Sequence, residues 1–353
     1  MAIDEAKLEA FMHKVVTELG AGLGFPMHRL GDQLGIWKAM AGAGPLTAAE
    51  VAERCECHDR YIKEWLAAET AGGYVTYDAA AETYTLPDEV AFAMADESSP
   101  VFLGGAWQLA TSVFESLPKL AEAYKTGGGV GWADHTHNLF EGVARFFRPG
   151  YNANLVSSWL PALDDVVEKL ERGAKVADVG CGLGSSTILM AQAFPNSTFT
   201  GFDYHDASIV AARKAAAEAG VADRVSFEVA PAQAYPGTGY DLVTFFDCLH
   251  DMGDPDGAAR HVRSTLADDG TWMLVEPYSN GDLVADTSNP VGRVFYASSA
   301  AICLPASLAD EGRRGLGNQV GDTEWAEILG AAGFSRCRRA TETPFNRVFE
   351  VRP

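Results

Sequence analysis

Basic residues are scarce in this chain: 27 Lys and Arg stand against 48 Asp and Glu, a formal net charge of −21 over 353 residues. Nucleic acids bind by releasing counterions to a basic patch. Residues 1–100 hold 7 Lys/Arg against 17 Asp/Glu, so no nucleic-acid partner is expected. Long hydrophobic runs are missing too. No uninterrupted apolar stretch reaches the roughly 20 residues that span a bilayer, and the opening MAIDEAKLEAFMHKVV is charged and helical where a secretory leader would be apolar. The expectation is a cytoplasmic protein with no membrane partner. Six cysteines (55, 57, 181, 248, 303 and 337) are thinly spread, and a long chain without a secretion signal is not a disulfide scaffold. Cys55-Glu-Cys57-His58 has no second ligand pair nearby, as a structural zinc site would. His135 and His137, with Glu141, read as solvated loop histidines. No metal is expected, and there is no internal repeat or low-complexity tract.

Three textures follow one another. In residues 1–100, Thr47-Ala-Ala-Glu50 reads as a capping box opening a helix. A second helix over 58–70 carries Tyr61, Ile62, Trp65 and Leu66 at i, i+1, i+4, i+5, a helical apolar stripe. Gly72-Gly73 ends it, and Tyr74–Tyr77 with Thr83–Leu86 read as a hairpin. Helix, turn, helix and β-wing is the order of a winged helix. Residues 101–172 are predicted mainly helical, a connector and pocket wall rich in aromatics (Trp107, Phe114, Phe140, Phe146, Phe147, Trp159) and broken by a loop expected to be mobile at Gly127–Gly129. From 173 to 353, strands at 174–179, 198–202, 225–229, 240–246 and 271–275 alternate with helices at 185–193, 208–219 and 258–266. That alternation predicts an α/β, Rossmann-like, doubly wound and mostly parallel sheet, with ligands at the carboxyl ends of its strands.

Gly180-x-Gly182-x-Gly184 lies between the first of these strands and its helix. Glycines allow the tight turn and a close backbone approach, and helix N-terminal amides face the ligand. Asp203 ends the next strand about 20 residues on, where a carboxylate can accept both ribose hydroxyls. The G-x-G-x-G spacing departs from the dinucleotide pattern. Asp178, two residues before the first glycine, suits a cationic methionine amine better than a pyrophosphate. The ligand expected is S-adenosylmethionine.

The segments VADVGCGLG, FTGFDYHDASIVAARKAA, DLVTFFDCLHDMGDP and GTWMLVEP resemble the successive signatures of class I S-adenosylmethionine-dependent methyltransferases. With the winged helix in front, nearly the whole chain resembles the two-domain small-molecule O-methyltransferases of plants and actinobacteria. It also looks like bacterial methyltransferase-like proteins labelled transcriptional regulators. The resemblance implies a homodimer built by the first domain. It places Gly180, Gly182 and Gly184 along the methionine portion, Asp203 at the ribose, and adenine against Ala230-Pro-Ala232-Gln233-Ala234; Asp178 and Tyr204 are further cofactor-binding candidates. Pro231 stands where many relatives carry an acidic residue, which leaves Gln233 and backbone groups for that contact.

Removing a proton from a hydroxyl acceptor calls for a base titrating near neutrality, usually histidine. His250 sits just past the fourth strand, in Phe246-Asp247-Cys-Leu-His250-Asp251. The resemblance makes the His250–Asp251 pair the base and Glu276 the carboxylate that orients it. Gln319 falls where the family has a second glutamate. Asp247 is a candidate contact to cofactor or substrate. Residues 277–318 form a long insertion with Val294-Phe-Tyr296 and Ile302-Cys-Leu304, a candidate roof over an apolar cavity. A same-fold enzyme acting on nitrogen, carbon or sulfur, and a ligand-sensing regulator, stay open as alternatives.

Overall fold

The computed structural model describes residues 3–353, and the chain divides into two compact units, residues 1–111 with 141–149 and residues 112–140 with 150–353. In the first unit, Asp4 caps the long helix α1 (Glu5–Gln33), and the short α2 (Ile36–Met40) follows. Helix α3 (Ala48–Arg54) opens with the expected capping box: the Thr47 hydroxyl accepts from Glu50 N, and the Glu50 carboxylate accepts from Thr47 N at 2.7 Å. Helix α4 (Asp59–Ala71) buries Ile62, Trp65 and Leu66, while Tyr61 is 79% exposed, so the buried stripe is narrower than the sequence pattern suggests. Strands β1 (Thr76–Asp78) and β2 (Thr83–Thr85) pair antiparallel as the wing, and helix α5 (Asp88–Met94) closes a core around Trp37, Trp65 and Leu66.

Helices α6 (Gly104–Thr126) and α7 (His137–Asn154) each contribute to both units. In the first, Arg145 of α7 donates to both carboxylate oxygens of Asp32, at 2.9 and 2.8 Å, and Arg29 adds a third bond at 2.7 Å. In the second, His135 is buried with Nδ1 2.8 Å from the Ser116 hydroxyl, which corrects the reading of it as solvated; His137 is exposed. The Gly127–Gly129 loop is pinned rather than loose. Val130 N donates to Pro305 O at 3.0 Å, and a Cβ on Gly129 would lie 2.1 Å from Ala309 N.

Helix α8 (Val166–Arg172) leads into the sheet. Its elements run β3 (Lys175–Val179), α9 (Ser185–Ala193), β4 (Thr198–Asp203), α10 (Asp206–Glu218), β5 (Val225–Val229), β6 (Tyr240–Phe246), α11 (Pro255–Thr265) and β7 (Leu266–Pro277). Helices α12 (Leu283–Ser288), α13 (Pro290–Ser298) and α14 (Leu304–Ala309) fill the insertion, and α15 (Asp322–Ala331), β8 (Arg336–Glu342) and β9 (Asn346–Arg352) complete the unit. The strand order is β5-β4-β3-β6-β7-β9-β8, parallel through β7, with β9 antiparallel to both its neighbours. This is the expected α/β fold behind a winged helix. The β8–β9 hairpin was not foreseen, because its arginine-rich strands carry no clean apolar alternation. Order reverses between β3 and β6, which opens the crevice where such sheets bind ligands.

The insertion is helical. Pro290–Ala309, with a π-turn at Ser299–Cys303 joining α13 to α14, is by length and composition apolar enough to cross a membrane (mean hydropathy 1.3), with a third of it buried. Strictly uninterrupted runs do not reveal it, because Arg293 and small polar residues break them. Pro305, Ala306 and Ser307 of this run are buried in the unit.

Candidate active site

The crevice is built from four strand ends. Beyond β3, Gly180, Gly182 and Gly184 all take left-handed backbone, with φ of 74°, 50° and 80°. Their surroundings differ. A Cβ at Gly180 would lie 2.6 Å from Cys248 Sγ, and one at Gly184 would lie 2.6 Å from the Phe227 ring; one at Gly182 would meet nothing within 4 Å. The outer glycines are therefore required by packing, and only the middle one faces open space.

Asp203, closing β4, holds this loop: Oδ2 accepts from Gly182 N and Oδ1 from His205 N, both at 2.9 Å. Burial raises its pKa against the pull of those amides. Each oxygen keeps a second lone pair for a hydroxyl donor. Beside it the His205 ring stacks on Phe140, with centroids 4.2 Å apart and planes 4° from parallel. Tyr204 is exposed, although desolvation of its hydroxyl and the Asp203 charge raise its pKa. Ala232 is buried, and Gln233 is half-buried and donates to Asp254 O at 3.1 Å.

Asp178 is fully buried, and its carboxylate accepts from Ser186 (2.7 Å), Thr187 (2.5 Å) and Thr244 (2.9 Å). Burial raises its pKa while these hydroxyls oppose the shift. The structure thus uses Asp178 to tie the start of α9 to β6, a role that the spacing of acid and glycine does not reveal.

Asp247 follows β6 in the left-handed region, at φ 50°, a strained conformation for a residue other than glycine. Its Oδ1 accepts from Asn346 Nδ2 at 2.7 Å; its Oδ2 has neither solvent access nor a hydrogen-bond partner. Burial, with Glu276 adding repulsion, pushes its pKa well above the usual carboxyl range.

His250 lies on a single 3-10 turn, Leu249–Asp251, and is 3% exposed. Nδ1 is 2.5 Å from Glu276 Oε2, and Leu249 N donates to Oε1 of the same carboxylate at 3.2 Å. Nε2 stands 3.0 Å from Asp251 Oδ1. Burial opposes charge on the ring, but Asp251 and Glu276 outweigh it and hold the pKa well above the usual imidazole range. Gln319 donates to Asn318 O (3.1 Å) and Tyr278 O (3.4 Å), and no hydrogen bond joins it to His250 among the described residues. Cys303, at the end of the π-turn, completes the group: its thiol, the His250 ring nitrogen and an Asp251 oxygen lie within 4.8 Å of one another. Burial pushes that thiol up to about 12. Cys303 and Asn346 escaped the sequence reading because about 50 and 100 residues of chain separate them from the His250 segment, and no local spacing marks them.

Residues 170–316 match the family model described as a methyltransferase domain, and residues 22–95 match the Rv2258c-like winged HTH domain. Over 145 residues the chain is 34% identical to the 27-O-demethylrifamycin SV methyltransferase of Amycolatopsis mediterranei, covering 40% of this chain and 48% of that one. The chain spans about half or less of the length of the curated relatives it matches first. Among solved structures it is similar to human N-acetylserotonin methyltransferase in complex with S-adenosylmethionine (TM-score 0.73, 15% identity, 99% of this chain and 98% of that). It is also similar to mitomycin 7-O-methyltransferase (TM-score 0.70, 17% identity, 99% and 100%). At such identities the likeness is one of fold.

Proposed function

We propose, from the match of residues 170–316 to a methyltransferase domain and of residues 22–95 to a winged helix-turn-helix domain, that the chain is an S-adenosylmethionine-dependent enzyme methylating a hydroxyl of a small aromatic or apolar molecule. The observation that carries this reading is the pairing, at neighbouring strand ends, of an open glycine loop held by Asp203 with a buried histidine braced by Glu276. The cofactor supplies a methyl group on a cationic sulfur, so the hard chemistry is its own. The protein's share is alignment and proton removal, and alignment alone is worth on the order of 7–11 kcal/mol in good cases.

Asp203 and the amides around Gly182 hold the ribose and amino-acid ends, and Asp247 Oδ2, buried without a partner, suits a cationic group. Glu276 holds His250 through Nδ1; Nε2, which rests 3.0 Å from Asp251, takes the acceptor's proton from the fraction of the enzyme whose ring is neutral, and Asp251 with Glu276 stabilises the charge the ring then carries. Phe140 and the 277–318 insertion offer an apolar roof for a flat acceptor. The exposed apolar residues of α1, among them Phe11, Leu19 and Leu23, suit a homodimer. A DNA role for the winged helix is not favoured: Arg60 of α4 is paired with Glu64 at 2.6 Å, and the region is acidic.

Calorimetric titration with S-adenosylhomocysteine tests the cofactor: the wild type should bind saturably and Asp203→Ala should not. Phenolic acceptors are then screened by mass spectrometry for an O-methyl product, which His250→Ala should form at least about 100-fold more slowly, the span of general-base contributions, while binding S-adenosylhomocysteine normally. Absence of binding by the wild type would sink the reading.

A further inference from the structure

Two acceptor atoms at hydrogen-bonding distance repel each other unless positive charge lies between them. With Nδ1 of His250 committed to Glu276, its Nε2 faces Asp251 Oδ1 at 3.0 Å. That oxygen is closed to solvent and has no hydrogen-bond partner, on a side chain only 10% exposed. The Cys303 thiol, delivered by the insertion, faces the same point. We propose that His250 Nε2, the Asp251 carboxylate and Cys303 Sγ form a site for one thiophilic divalent cation of the zinc class, which silences methyl transfer by occupying Nε2.

The chemistry of the donors supports that cation. Imidazole nitrogen, carboxylate oxygen and thiolate sulfur are zinc donors, and three protein ligands with an open fourth position make a four-coordinate zinc carrying water. Calcium and magnesium prefer all-oxygen sets and gain nothing from a thiol. Ligand atoms bound at about 2.0–2.3 Å to a tetrahedral zinc stand about 3.3–3.8 Å apart. A group already within 4.8 Å closes to that geometry by side-chain adjustment. Glu276 on Nδ1 supplies the carboxylate–histidine arrangement that fixes the tautomer of a metal-bound imidazole and makes the other nitrogen a better donor. Binding releases two protons to solvent, that of the Cys303 thiol and the one the raised pKa of His250 keeps on Nε2, since metal ligands bind deprotonated. The binding claim stands apart from the methyl-transfer reading; only its inhibitory consequence rests on His250 serving as the base.

The test uses the full-length protein freed of metal by chelation. Cobalt(II) is added as a spectroscopic probe, and zinc affinity is measured by competition against a chromophoric chelator. The expected result is one equivalent of cobalt with a thiolate charge-transfer band in the near ultraviolet, displaced by zinc. Cys303→Ser should abolish the band, and Glu276→Gln should weaken zinc binding by roughly 10–100-fold. Zinc should lower the turnover of the wild type in proportion to occupancy, with S-adenosylhomocysteine binding as the check on fold. No charge-transfer band in the wild type overturns the proposal and leaves a proton as the positive charge. A band that survives in Cys303→Ser but is lost in a Cys55→Ser, Cys57→Ser double variant overturns it as well. Stoichiometric zinc that leaves turnover unchanged, in a protein that does methylate, refutes the inhibitory role alone.

Discussion

Replacing Gly182 by alanine should separate cofactor binding from folding. All three loop glycines sit at positive φ, where an L-residue costs roughly 1–2 kcal/mol. At Gly182 that is the whole cost, because the added methyl meets nothing within 4 Å. For a unit of 150–250 residues, each kcal/mol moves Tm by about 2–4 °C, so Gly182→Ala should melt about 2–8 °C below the wild type. Gly184→Ala carries the same backbone cost, and its Cβ also lands 2.6 Å from the Phe227 ring and 3.1 Å from Ala212 Cβ. Overpacking of that kind adds roughly 1–3 kcal/mol, for a total drop of about 4–20 °C. Affinity should rank the other way among folded proteins. The Gly182 methyl occupies space the ligand needs, so the Kd for S-adenosylhomocysteine should rise at least tenfold, equivalent to about 1.4 kcal/mol. The assay is differential scanning fluorimetry paired with calorimetric titration. Wild-type affinity in Gly182→Ala would show that the cofactor does not lie over the middle glycine; equal stability of the two variants would refute the packing account.

Arg347 is fully buried and donates to Pro277 O (3.1 and 2.8 Å) and Val320 O (2.6 Å), the carbonyls that flank the insertion. Arg347→Met leaves both buried carbonyls unsatisfied, at about 1–3 kcal/mol each, and chemical denaturation should show a loss of about 2–6 kcal/mol; a loss under 1 kcal/mol would contradict the clamp. In the first unit, burial alone would raise the Asp32 carboxyl, but Arg145 and Arg29 outweigh it and hold the pKa below its usual value. A depressed carboxyl contributes full stability above its unfolded pKa, near ~3.9, and loses it as pH falls through the lower folded value. Melting curves from pH 5 to 2 should therefore show an acid-labile component that Asp32→Asn removes, with lower stability already at neutral pH; an unchanged acid limb would contradict the linkage. Charges placed on the exposed face of α1, as in Leu19→Glu with Leu23→Glu, should convert a dimer to a monomer by light scattering, whereas a wild-type monomer would end that proposal.

Much of the architecture was legible because local rules and tertiary demands coincide there. The capping box at Thr47 and Glu50, the helix Ser185–Ala193 and the strands Val225–Val229 and Tyr240–Phe246 fall at the residues the patterns mark. Each is set by hydrogen bonds or apolar periodicity within a few residues. A parallel sheet brings the carboxyl ends of its strands to one edge, so the strand-end positions of the glycine loop, Asp203, His250 and Glu276 already imply that these residues lie along one edge of the sheet.

What tertiary structure alone decided is the use to which those side chains are put. Asp178 was read toward a ligand but is consumed by three hydroxyls, two from α9 and one from β6. His250 meets Asp251, its neighbour in sequence, but Cys303 joins them only because the 277–318 insertion folds into helices that carry it to the strand ends. The β8–β9 hairpin gains its place by pairing β9 to β7, not through any pattern in its arginine-rich strands. Periodicity and spacing report the chain's near neighbours; the partner of a buried carboxylate or ring nitrogen is chosen by packing between segments far apart, and no local pattern encodes that choice.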